Sequence, residues 1–369
     1  MKSLAGLILC LMVTICLQAQ KTENVIIVTL DGMRWQEVFS GADKQLLKDI
    51  RFTKDTVETF KDFWDDNVSE RRKILFPFLW NIVARQGQLY GNRYFSNKLD
   101  NANPYKFSYP GYNELLTGYP DTNVSSNEKI LNPNENILEF VSKQEGYRNQ
   151  VAAFATWDVF PYILNKPESH FYINAGMDND GFDNSNLSLI KEMQSLSAKP
   201  LDVRLDVFTY FAAREYMKAN HPKMMFIGFD ETDDFAHSGQ YDQYLKSAHA
   251  IDAMIADLWN YIQSTPQYTN KTTLIITCDH GRGDAVKENW KDHGEEIPES
   301  GQIWLAAIGP DIKPIGEIKT PMQLYQKQIA STITSLLGFQ FTTNHIVAEP
   351  IASLLPTPIE MSLITVADK

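Results

Sequence analysis

The chain is poor in cysteine. It has three in 369 residues, and two of them, Cys10 and Cys16, lie in an apolar N-terminal stretch. Once that stretch is removed only Cys278 is left, which excludes a fold stapled by internal disulfides. Cys278 ends the apolar run Leu274-Ile275-Ile276-Thr277-Cys278 and reads as a small buried hydrophobe. A basic surplus is also missing, since 34 Lys and Arg face 46 Asp and Glu for a net charge of -12. That excludes a function built on neutralising nucleic-acid backbones, so no duplex binding is expected. Internal repeats, low-complexity tracts and interdomain linkers are absent as well. Residues 20–369 therefore read as one domain.

The N-terminal stretch reads as an export signal over residues 1–19. Met1-Lys2 supplies the positive start, Leu4 to Leu17 is apolar apart from Thr14, and Leu17-Gln18-Ala19-Gln20 supplies a cut after Ala19. The run is short for a membrane span, and no stable span is expected after cleavage. Ile15 before Cys16 is too bulky for lipoprotein processing. Export without disulfides suits a bacterial periplasm or secretion. In that setting the sequons at Asn67 and Asn270 carry no meaning.

Apolar, β-branched runs at Val25–Leu30, Val151–Thr156, Met224–Phe229, Leu274–Thr277 and Ile303–Ile308 predict buried parallel strands. Between them, Leu245, Ala248, Ile251, Ile255, Leu258 and Ile262 recur at helical spacing. Leu205–Met217 and Met322–Leu337 show similar patterns. Strands alternating with helices predict an α/β fold: a mostly parallel central sheet sandwiched by helices. The charged, aromatic segment 39–103 reads as an insertion over the active-site edge, and 170–197 as a long loop or small cap.

Ligands of such sheets bind beyond the C-terminal strand ends, and the chain's chemistry gathers there. Asp31 follows the first strand, Asp233 and His237 follow the Met224–Phe229 strand, and Asp279-His280-Gly281 follows the Leu274–Thr277 strand, with His293-Gly294 beyond. Asp233 and His237 are one helical turn apart, so both can face one point. A lone histidine is more often structural, and His170, His221, His249 and His345 take that reading. Three histidines each beside an acid or a glycine predict a site for two divalent metals, zinc above all, with manganese also fitting. Ser108, in Lys106-Phe107-Ser108-Tyr109-Pro110-Gly111, precedes a helical pattern that closes on Gly118. Taken alone it is a helix N-cap. Next to metals it becomes a nucleophile candidate, because a coordinated hydroxyl ionises more easily.

The order Asp-Gly, hydroxyl–aromatic–Pro, Asp-x-x-x-His, Asp-His-Gly and His-Gly resembles the alkaline phosphatase superfamily, nearest to its type I phosphodiesterase/nucleotide pyrophosphatase branch. The resemblance runs from Val25 to about Leu337. It implies an alkaline phosphatase-like fold. It also implies one zinc held by Asp233, His237 and His293, another by Asp31, Asp279 and His280, and Ser108 as nucleophile between them. Asn127 matches an asparagine that anchors the phosphoryl group in the family.

The chain departs from the branch in two places. The branch carries Thr-Phe-Pro-Asn-His where this chain has Ser108-Tyr109-Pro110-Gly111-Tyr112, and its Glu-Pro-Asp-x-x-Gly-His appears as Glu231-Thr232-Asp233-Asp234-Phe235-Ala236-His237. Asp230 and Asp234 flank Asp233 as rival ligands, and spacing from His237 favours Asp233. Asp292 reads as support for His293. The expected activity is hydrolysis of a phosphodiester or nucleotide pyrophosphate through a phosphorylated serine, on a small phosphate-ester substrate. A phosphomonoesterase or phosphotransferase on the same core, and a binding protein without turnover, are the alternatives. Lys129 and Arg282 have two open readings, phosphate anchor and solvated surface charge.

Overall fold

The computed structural model describes residues 21–177, 185–198 and 203–356. The expected export signal over residues 1–19, with Cys10 and Cys16, lies outside the described residues. Strands in chain order are β1 (Asn24–Leu30), β2 (Gln88–Tyr90), β3 (Asn97–Asp100), β4 (Val151–Ala155), β5 (Tyr172–Ala175), β6 (Met224–Phe229), β7 (Thr272–Thr277), β8 (Gln302–Ile303), β9 (Leu305–Ile308), β10 (Gly316–Glu317) and β11 (Met322–Tyr325). Eight form one sheet in the order β10-β2-β9-β7-β1-β6-β4-β5, and β11-β3-β8 form a small second sheet. In the large sheet only β9 runs against its neighbours, pairing antiparallel with β2 and β7. The predicted mostly parallel α/β sheet is therefore the fold of this chain.

Every residue of β1 is buried, as a strand covered by helices on both faces requires. The Tyr241–Ser264 helix turns the predicted stripe of Leu245, Ala248, Ile251, Ile255, Leu258 and Ile262 inward. β1 lies between β6 and β7. The three strands that end in Asp31, Asp230 and Asp279 are thus neighbours at the centre of the sheet, and this adjacency is what assembles the site. No helix among the described residues is long and apolar enough to cross a membrane.

Four expectations need correction. Met322–Leu337 is not one helix: Met322–Tyr325 pairs in parallel with β3, and the helix spans only Gln328–Leu336. Its first four residues alternate in burial, a period of two. The run Ile303–Ile308, expected as one parallel strand, breaks at Trp304 and changes sheets, and both pieces pair antiparallel, with Ile303 opposite Leu99 and Leu305 opposite Tyr90. Segment 170–197, expected as a long loop or small cap, supplies the edge strand β5 and a helix at Ser185–Leu196. Segment 39–103 is only partly an overlay, because Gln88–Tyr90 enters the main sheet.

One buried acid on the Tyr241–Ser264 helix affects stability rather than chemistry. Asp252 is 4% exposed and accepts from the backbone N–H groups of Phe78 (2.7 Å) and Leu79 (3.0 Å). Burial pushes its carboxyl up to about 7, against those two hydrogen bonds. An acid raised in the folded state contributes its full stability at low pH and loses it as pH rises through the folded value. Wild type should therefore lose up to a few kcal/mol relative to Asp252→Asn between pH 5 and pH 8. Urea unfolding at both pH values measures this, and a pH-independent difference would refute it.

Candidate active site

Asp31 begins the turn after β1. Its neighbour Gly32 adopts φ +57°, and a Cβ there would sit 2.5 Å from Asp233 Oδ1 and 2.8 Å from Arg282 Nε. Only glycine tolerates both the left-handed backbone and this approach. The Gly32 N–H donates to Asp279 Oδ1 (3.1 Å), so the ends of β1 and β7 are tied together. Asp31 is held in turn by the Tyr112 hydroxyl, which donates to its Oδ2 (3.0 Å), and by the Thr232 hydroxyl, which donates to its carbonyl (2.6 Å).

Ser108 opens the Ser108–Thr117 helix, and Gly118 at φ +69° closes it, donating to Glu114 O. Gly111 lets this helix approach the end of β7, since a Cβ would meet the Asp279 carbonyl at 2.6 Å. Ser108 Oγ consequently lies 3.4 Å from Asp31 Oδ1 and 3.3 Å from His280 Nε2. The helix start offers fewer backbone donors than an ordinary N-terminus. The Tyr109 N–H goes to Asn127 Oδ1 (2.9 Å), Pro110 has none, and the Gly111 N–H goes to Phe107 O. The Tyr109 bond ties Asn127 to the helix start, and no backbone partner takes the Ser108 N–H among the described residues.

Two groups of ligand atoms form, each within 4.8 Å: Asp31, Asp279 and His280, and Asp233, His280 and His293. His280 stands between them. Its Nε2 is 3.3 Å from Asp31 Oδ1, 3.5 Å from Asp279 Oδ2 and 3.7 Å from Asp233 Oδ1. His237 closes the second group on its solvent side, with Nε2 3.0 Å from Asp233 Oδ2 and 2.9 Å from His293 Nε2. The rival acids stay out of these groups: Asp230 and Asp234 are in neither. Asp292 is half exposed, its carboxylate 4.0 Å from Lys291 Nζ.

The electrostatics fit cations. The His280 Nδ1–H donates to Gly281 O, so in the neutral ring the Nε2 lone pair faces three carboxylates. Asp279 Oδ2 is buried without a hydrogen bond. Burial opposes charge on His280, yet Asp279 and Asp31 lift it to about 9. Burial and the neighbouring Asp31 push Asp279 well above the carboxylate range. Burial and the charge of His280 push His293 well below the ordinary imidazole value. Crowded carboxylates and imidazole lone pairs aimed at shared points are a donor set that divalent metals satisfy.

Arg282 is 1% exposed and so is not a solvated surface charge. Its Nη2 contacts Asp233 Oδ1 and donates to the Asp233 carbonyl (3.1 Å), while Nη1 donates to Lys291 O (2.5 Å). Although burial works against it, Arg282, with His237 and His293, holds Asp233 well below the carboxylate range. Lys129 is exposed and paired with Asp158 (2.7 Å). It lines a cleft of about 560 Å³ with Asp158, Tyr162, Lys166 and Met177, past the ends of β4 and β5. The four remaining histidines lie elsewhere. His170 pairs with Glu139, His249 bonds Leu75 O, His345 stacks on Tyr119 and His221 follows a helix end. Cys278 is buried, and burial raises its thiol.

Sequence reasoning missed Tyr112 and Arg34. Tyr112 stands one helical turn after Ser108, a spacing that could have marked it. Arg34 is fully buried, pairs with Glu37 and donates to Gly283 O (2.9 Å), bracing the loop that carries His280 and Arg282. Nothing in the local sequence points to that partner.

Among solved structures, the chain resembles alkaline phosphatase PafA, with a TM-score of 0.60 at 9% identity over 91% of this chain and 99% of that one. The phosphonate monoester hydrolase of Agrobacterium radiobacter gives 0.59 at 13% identity, over 92% and 78%. The lipoteichoic acid synthase LtaP of Listeria monocytogenes gives 0.55 at 13%, over 87% and 73%. At such identities these likenesses describe the fold. No curated protein sequence matches the chain. Residues 42–332 match the family described as type I phosphodiesterase / nucleotide pyrophosphatase, and that span, more than half of the chain and set on an alkaline phosphatase-like fold, makes this protein a member of that family.

Proposed function

We propose that the protein hydrolyses phosphodiesters or nucleotide pyrophosphates with Ser108 as nucleophile on a two-metal site. The observation that carries this reading is the placement of Ser108 Oγ 3.4 Å from Asp31 Oδ1 and 3.3 Å from His280 Nε2, at a helix start. When bound, divalent metals supply charge neutralisation and favour the ionised serine. Asp31, Asp279 and His280 would hold the one nearer Ser108, and Asp233, His237 and His293 the other. The chain's own residues do the rest. Tyr112 fixes Asp31, so the serine's neighbour is preorganised. Ser108 Oγ, its proton released to solvent, bonds to phosphorus as the ester P–O bond breaks, and the leaving oxygen departs with its electron pair and takes up a proton from solvent. Water then cleaves the Oγ–P bond and returns the proton to serine. The helix dipole and the amide of Asn127 stabilise the non-bridging oxygens.

Substrate class follows from the donors beside Ser108. A diester carries about one negative charge and a monoester about two, and the neutral amide of Asn127 suits the smaller charge. Among the described residues no lysine or arginine contacts Ser108: Arg282 is committed to Asp233 and Lys129 to Asp158. The neighbouring 560 Å³ cleft gives room for an organic arm. In assays of bis-p-nitrophenyl phosphate against p-nitrophenyl phosphate, kcat/KM should favour the diester. Asn127→Ala should lower the diester rate by about ten- to a thousand-fold, the range for loss of one oxyanion donor. A faster monoester reaction, with a large loss in Lys129→Ala, would make the protein a phosphomonoesterase instead.

A further inference from the structure

Arg282 occupies an unusual position within the metal-ligand set, and its contacts define a task. Asp233 has two oxygens pointing different ways. Oδ2 faces His237 Nε2 at 3.0 Å. Oδ1 lies 3.7 Å from His280 Nε2 and 3.8 Å from His293 Nε2, toward the shared middle of the site. Unopposed, this carboxylate can bind through both oxygens or bridge from the His237 side to the His280 side. The Arg282 guanidinium takes Oδ1. The same fork reaches the Asp233 carbonyl and Lys291 O, two residues before His293. Arg282 itself is two residues after His280. One planar group therefore links three of the four stretches that carry the ligands. Gly32 leaves the room for it, because a Cβ there would be 2.8 Å from Arg282 Nε and 2.5 Å from Asp233 Oδ1.

We infer that Arg282 is a positioning residue that partitions Asp233: by holding Oδ1 it leaves Oδ2 to the His237–His293 group and keeps Asp233 from bridging to the His280 group. The inference rests on the proposed reading of these residues as metal ligands. It explains why Asp233 sits within reach of His280 yet belongs with His237. It also explains why the chain carries a glycine at 32 and an arginine at 282 together. A lysine cannot reproduce the arrangement, since it offers a point charge rather than a fork.

The test uses the intact protein loaded with zinc or cobalt. Zinc affinities of both sites are measured by chelator competition in wild type, Arg282→Lys and Arg282→Gln, with circular dichroism to verify folding. Cobalt(II) visible spectra report coordination. Wild type should bind two zinc ions. Both variants should bind one of them about ten- to a hundred-fold more weakly, the usual loss when a group supporting a ligand is removed, with the other unchanged. The cobalt bands should change in intensity as Asp233 gains a second free oxygen. Two wild-type affinities and an unchanged spectrum in a folded variant would overturn the inference while leaving the metal reading intact. Equal weakening of both sites would show a general structural role and also overturn it. If Arg282→Gln does not fold, Arg282→Lys carries the comparison, because it keeps the charge and loses only the fork. Wild type without two bound metals would sink the metal reading itself, and this inference with it.

Discussion

Ser108→Ala should lower diester turnover by at least about a thousand-fold, as expected for loss of a covalent nucleophile. The serine is 5% exposed, and its oxygen lies 3.4 Å from Asp31 and 3.3 Å from His280. Removing Oγ deletes two weak contacts and no backbone bond, so the fold should survive. Gly111, not the hydroxyl, sets the approach of the helix to β7. Metal content should fall little, because six other side chains supply the donors. Initial rates, circular dichroism and metal content measured on one preparation separate these effects. A variant retaining near-normal rates would show that the nucleophile is not Ser108, and an attack by water would become the better account.

Metal removal should be equally damaging. Purified protein should carry close to two zinc equivalents, and dialysis against a chelator should abolish turnover, with recovery on adding zinc back. The expectation follows from Asp31, Asp233, Asp279, His237, His280 and His293 converging on one site, with more carboxylate charge than Arg282 can offset. Stripped protein should also melt at lower temperature, because ligands that bind only the native state stabilise it by mass action. Arg282 compensates Asp233 together with His237 and His293, whereas no guanidinium reaches Asp279 among the described residues and its Oδ2 stays without a hydrogen bond. Active enzyme free of any transition metal would end the two-metal reading. Manganese in place of zinc would keep the ligands and change only the metal.

The sequence by itself determined the class of fold and the residue types at the site. β1, β6 and β7 are continuous apolar runs, and Tyr241–Ser264 carries an unbroken helical stripe, so local periodicity sufficed. Asp31, Asp233 and Asp279 could be named because ligand-bearing turns follow strands directly. Short or divided segments escaped that logic. Met322–Tyr325 became a strand because β3 offered it an edge, and Ile303–Ile308 was split because Trp304 crosses between two sheets, its indole N–H donating to Met33 O. What only the tertiary structure decided was which partner each charge took. Arg282 meets Asp233 across 49 residues, Tyr112 meets Asp31 across 81 and Gly32 meets Asp279 across 247. Such pairings depend on strand order, which brings β6, β1 and β7 side by side. A side chain's local sequence fixes its chemistry and its helix or strand, but not the distant carboxylate it will face once the sheet has formed.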